Sequence, residues 1–106
     1  MPWVYLLLAG LLEICWAFAM KASYGFSRPL PTVVMLVCMV ASFGLLSVAM
    51  RTLPLGTAYA IWTGIGAVGA FLVGILLLGE SASPLRLLAA GLIVAGLALM
   101  KVSSAA

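Results

Sequence analysis

Glu13 is an acid set inside an apolar run, with no other charged residue between positions 1 and 20. If that run is a helix crossing a bilayer, ten residues place its carboxyl roughly 15 Å in, at mid-membrane. An acidic side chain there costs about 2.5–3.5 kcal/mol on insertion scales. Leu6, Leu7, Leu8, Leu11, Leu12, Ile14 and Phe18 each return roughly 0.3–0.6 kcal/mol, which offsets the acid about once. Such a helix is marginal alone and should bury Glu13 against partner helices. No cationic side chain lies at similar depth to pair with it. Intramembrane acids of this kind mark ion or proton pathways. The chemistry on offer is a carboxylate that releases a proton and holds a cation in its place.

Its neighbours are consistent with a site. Gly10, Glu13, Trp16 and Ala17 follow i, i+3, i+6/i+7 spacing and share a helix face. Gly10 is expected to leave space beside the carboxylate, and Trp16 offers a ring and an indole N–H. On a later apolar run, Tyr59, Trp62, Thr63 and Gly66 line a second face. Their hydroxyl and N–H groups need partners in lipid, and the aromatic faces attract cations. Tyr59 and Trp62 can also be read as interfacial belt residues, which is the reading for Trp3 and Tyr5. Ser42, central in its run, faces the site, bonds back to its own helix or packs a tight crossing. Gly64 and Gly66 allow close packing and bending. Gly91 and Ala95 form a small-xxx-small pair suited to helix dimerisation.

Four helices must position these groups. The chain has 106 residues, 67% hydrophobic and 7% charged, against about 45–50% and about 25% in soluble domains. A compact soluble protein could not cover itself with so few polar groups, and a disordered chain would be polar. Uncharged stretches at 29–50 and 52–79, with 1–20 and 87–100, mark the spans. The expected helices run over 3–20, 32–50, 55–78 and 84–102, so 1–106 forms a single four-helix transmembrane domain. Ser83-Pro84 is a helix-start signal. Arg86 and Lys101 then snorkel to opposite interfaces. Residues 21–31, with Tyr24-Gly25-Phe26 and the pair Pro29 and Pro31, read as a turn with interfacial aromatics. Ala17-Phe18-Ala19 resembles a signal-peptide cleavage site, but no basic residue precedes it and Glu13 interrupts the run, so helix 1 is expected to stay in the mature protein.

Several functions are excluded. The chain has no His, and no Ser- or Cys-centred nucleophile motif occurs, so no catalytic residue and no cofactor are assigned. Cys15 and Cys38 fall inside apolar stretches and read as packing residues, not a disulfide framework or metal site. A dispersed net charge of +3 is no nucleic-acid footprint.

Orientation is nearly undetermined by charge. One face of the membrane receives Arg51 and Lys101, the other Lys21, Arg28 and Arg86. Membrane proteins usually orient by a clear Lys/Arg excess on the cytoplasmic side. Without one, the expectation is insertion in both orientations and pairing as an antiparallel homodimer, which also supplies enough helices to enclose a pathway; a single orientation set by other features is the alternative.

Three stretches then carry a family resemblance. They are Gly10-Leu-Leu-Glu13-Ile-Cys-Trp16-Ala17, Lys21-Ala-Ser23-Tyr-Gly25-Phe26-Ser-Arg28, and Leu53-Pro54-Leu-Gly56-Thr57-Ala58-Tyr59-Ala60-Ile61-Trp62-Thr63-Gly64-Ile-Gly66-Ala67. The chain resembles the small multidrug resistance transporters over all four helices, and most closely their guanidinium-exporter subtype. Trp16 separates that subtype from the quaternary-ammonium exporters, which usually hold a small residue there. The resemblance implies an all-α, four-helix protein of the bacterial inner membrane that forms a dual-topology antiparallel homodimer. It further implies exchange of protons for guanidinium-type small organic cations by alternating access. Glu13 of both subunits would bind substrate or proton, with Gly10, Trp16, Ser42, Tyr59 and Trp62 lining the site. Export of quaternary ammonium or hydrophobic cations is the alternative. A passive cation channel and an accessory membrane subunit remain open as other classes.

Overall fold

The structure is a computed structural model that describes residues 2–104, which form four helices and their connections. These are α1 (Pro2–Ala22), α2 (Pro29–Ala49), α3 (Leu55–Leu78) and α4 (Pro84–Ser104). The shortest have 21 residues, a length of about 31 Å against a hydrocarbon core of about 30 Å. All four are long and apolar enough to cross a membrane, and no strand occurs among the described residues. The protein is an all-α membrane protein.

α2 begins three residues earlier than the sequence led us to expect. Pro29 and Pro31 lie in its first turn and not in a preceding loop. A first-turn residue has no intrahelical acceptor for its N–H, so proline loses nothing there. The Thr32 N–H and hydroxyl both close on the Arg28 carbonyl, at 3.2 and 2.7 Å. The remaining α1–α2 link is a tight left-handed turn: Tyr24, Gly25 and Phe26 have φ of 49°, 66° and 69°. Such backbone costs a non-glycine residue roughly 1–2 kcal/mol. The buried Ser23 hydroxyl holds the turn, donating to the Met20 carbonyl at 2.7 Å and accepting the Phe26 N–H at 3.2 Å. At the far end of α3, Gly79 (φ 69°) takes the left-handed conformation that stops the helix.

α1 is the central helix. It packs along both α2 and α3, whereas α2 and α3 meet only briefly, and α4 packs chiefly on α3, touching α1 where Lys101 lies over the Trp3 ring at 4.8 Å. Lipid tails are as apolar as these side chains, so close approach of helices, and not the hydrophobic effect, drives their association. Small residues accordingly sit at the crossings. Ala9, Ala49 and Ala58 are completely buried, and Leu6, Leu46, Ile61 and Trp62 are buried around them with only slight exposure. This core lies where the start of α1, the end of α2 and the start of α3 meet.

The molecule is a slab of 45 × 35 × 16 Å with α4 at its edge. No residue of the α4 span is buried. Gly91 faces open space and Ala95 is exposed, so the small-residue pair packs on no helix among the described residues. Cys15 is also exposed, contrary to its reading as a packing residue, because its face of α1 turns away from α2 and α3.

Candidate functional site

The α1–α3 crossing is built by side chains seated on glycines of the opposite helix. Glu13, midway along α1, lies on Gly66 of α3, where a Cβ would fall on the carboxylate. Ile14 sits on Gly69 in the same way. In the reverse direction, Ile65 of α3 fills the place of a Gly10 side chain, its Cγ2 only 2.6 Å from where a Cβ would stand. The expected space beside the carboxylate at Gly10 is therefore occupied, because Ile65 needs it to let the helices approach. Gly66 supplies the room instead. α3 runs unbroken through Gly64 and Gly66, and Gly64 receives Leu97 of α4, away from the acid.

Ser42 joins three helices at one oxygen. Fully buried on α2, it donates to the Ala9 carbonyl of α1 at 2.6 Å and accepts the Trp62 Nε1–H of α3 at 3.0 Å. It does not bond back to its own helix. Trp62 is buried and hydrogen-bonded inside the bundle, not set in an interfacial belt. The Tyr59 ring stands 5.5 Å from that of Trp62, tilted by 52°, and stays 52% exposed on the open side of the cluster.

One member escaped sequence reasoning. Phe43 on α2 makes edge-to-face contacts with Trp16 at 6.3 Å and Trp62 at 5.7 Å. An apolar ring in an apolar helix gives no polar signal, and only its place beside Ser42 could have pointed to it. Through Phe43 the rings of Trp16, Trp62 and Tyr59 form one continuous series across α1, α2 and α3. Glu13, one turn before Trp16, adjoins that series on α1. Gly91 and Ala95 lie elsewhere, on α4.

Two polar atoms within this region have no hydrogen-bond partner among the described residues: Glu13 Oε1 and Trp16 Nε1, both buried. A buried group left in that state costs about 1–3 kcal/mol. The cluster thus offers an acceptor oxygen, an indole donor and several ring faces. These suit a small cation carrying N–H groups, through charge-assisted hydrogen bonds to the carboxylate and cation–π contact with the rings.

The comparisons with known proteins agree with that chemistry. A family model, Small Multidrug Resistance protein, matches residues 1–93. A guanidinium exporter of Salmonella typhimurium is 62% identical over 104 residues, covering 98% of this chain and 99% of the relative. Those of Citrobacter freundii and Yersinia pseudotuberculosis are 60% and 57% identical, also over 98% of this chain. The chain belongs to the small multidrug resistance family, and is a multi-pass transporter of the bacterial inner membrane and not an enzyme.

Proposed function

We propose that the protein exports guanidinium or guanidinium-type small cations in exchange for protons, by alternating access of an antiparallel homodimer. The observation that carries this reading is the Glu13 carboxylate, half-buried at mid-helix on Gly66, with its Oε1 buried and unpartnered among the described residues. A planar guanidinium matches a carboxylate through two parallel N–H···O bonds. A proton taken up by the same carboxylate removes the charge that held the cation, so proton and substrate compete for Glu13. Gly10, Trp16, Ser42, Tyr59 and Trp62 are proposed to shape and orient the site around it. The naming of relatives as guanidinium exporters supports the choice of substrate.

Pairing of two protomers is supported by what one leaves open. Tyr59 and Phe43 are exposed beside the site, and α4 buries nothing. The near balance of Lys and Arg between the two ends of the bundle supports antiparallel insertion. Two such protomers rock so that their faces exchange roles, and each opening presents the Glu13 pair to one side.

Export of bulkier quaternary ammonium cations is favoured by one feature, the continuous ring series from Trp16 to Tyr59, exposed at Phe43 and Tyr59. Transport currents from proteoliposomes separate the two. The expected result is a current with guanidinium and a much smaller one with a bulky aromatic ammonium. Glu13→Gln should abolish both, since an amide exchanges no proton. Substrate-driven proton movement by that variant would sink the assignment.

A further inference from the structure

Beside the site, one cleft gathers three charges that take no part in holding the cation. It lies between the second halves of α1 and α3, at the end where α4 begins, and has a volume of about 320 Å³. Ile14, Ala17 and Phe18 form one wall and Ala70 and Phe71 the other, with Lys21, Glu80 and Arg86 at the mouth. Ile14, Ala17, Phe18 and Lys21 form an i, i+3, i+4, i+7 stripe, so the cleft descends about 10 Å from the charged end. Lys21 closes α1, Glu80 follows α3, and Arg86 stands in the first turn of α4. All three therefore lie at the same end of the bundle, where headgroups meet the chain.

These charges do not neutralise one another. Among the described residues no ion pair within 4.0 Å joins Glu80 to Lys21 or Arg86. The Arg86 guanidinium lies over the Phe71 ring at 5.2 Å, at the rim of the cleft. Glu80 is folded onto the bare backbone of Gly74, where a Cβ would fall on its carboxylate. Its N–H also closes on the Gly74 carbonyl at 3.0 Å. The acid, though exposed, is thus held at the rim of the cleft.

We propose that this cleft binds one ethanolamine phospholipid, a lipid whose headgroup carries both a phosphate and a primary ammonium. The phosphate lies between Lys21 and Arg86, the ammonium donates to Glu80, and one acyl chain runs down the α1–α3 wall. Charge complementarity selects this occupant. Arginine and lysine together suit a phosphate, the first through its planar fork and the second as a compact charge. Glu80 would repel a purely anionic headgroup placed there. A choline headgroup satisfies the charges but has no N–H to donate to the carboxylate.

The test uses the full-length protein reconstituted with equal amounts of ethanolamine, glycerol and choline phospholipids, then extracted in mild detergent. Retained lipid is quantified by mass spectrometry, and a photoactivatable ethanolamine lipid maps its contacts. The wild type should retain the ethanolamine lipid in preference to both others, with cross-links on residues 14–18 and 70–71. Lys21→Gln and Arg86→Gln should each lower retention about fivefold, and Arg86→Lys should restore part of the loss. Glu80→Gln should keep lipid bound but erase the preference for ethanolamine over choline. Equal retention of the three lipids by the wild type would overturn the proposal. So would a headgroup preference untouched by Glu80→Gln, or cross-links between two copies of the chain at these residues.

Discussion

Glu13 rests on Gly66: the carboxylate occupies the volume that any side chain at that α3 position would take. The pairing gives a physical reason for a glycine one turn beyond Trp62, opposite the half-buried acid. Gly66→Ala should push the carboxylate out of its seat. Overpacking of this kind costs about 1–3 kcal/mol, and the transport currents should fall along with thermal stability. Gly44→Ala is the control, since nothing stands within 4 Å of its side-chain position. That change should stay within about 0.5 kcal/mol of wild type. Equal effects from the two alanines would contradict the seat.

Ser42→Ala and Trp62→Phe should be coupled. The alanine strands the Trp62 N–H in a buried setting, whereas phenylalanine removes the donor together with its need for a partner. Interhelical hydrogen bonds measured this way inside membranes average about 0.6 kcal/mol and reach about 1.7. A double-mutant cycle on thermal unfolding in detergent should give a coupling in that range. Strict additivity would mean that the 3.0 Å contact contributes nothing to stability.

Much of this arrangement was legible before any coordinates. The scarcity of charge marked the spans, and the cost of an acid at mid-membrane singled out Glu13. The partners were harder to read. Ser42 bonds across to Ala9 and Trp62, a choice that depends on how three helices cross and not on local spacing. Gly10 and Gly66 exchange their expected roles because the α1–α3 register places Ile65 on one and Glu13 on the other. Phe43 has no polar atom to betray it. The first turn of α2 was hidden because proline signals both a turn and a helix start, and only the Thr32–Arg28 bonds decide between them.

Gly64 and Leu97 should behave as a second knob and hole, this time holding α4. A Cβ on Gly64 would collide with the Leu97 side chain, and α4 packs chiefly on α3. Gly64→Ala alone is expected to destabilise the α3–α4 contact by about 1–3 kcal/mol. Adding Leu97→Ala should recover part of that loss, since the methyl then fills the space the leucine gave up. Recovery would appear as a positive shift in unfolding temperature of the double variant over Gly64→Ala. Two independent losses would place α4 elsewhere.

Trp16→Phe separates the needs of the fold from those of the site. The indole N–H is buried without a hydrogen-bond partner among the described residues, while the ring meets Phe43 edge to face at 6.3 Å. Phenylalanine keeps an aromatic face beside Phe43 and removes a donor whose burial costs about 1–3 kcal/mol. Stability should therefore hold or rise, despite the smaller ring. Transport should move the other way, because the proposed site loses a group positioned one turn from Glu13. Residues kept at a cost to stability are those that serve a bound state. The measurement pairs an unfolding curve with guanidinium currents for the same preparation. A destabilised variant with wild-type currents would make Trp16 a packing residue and remove it from the site.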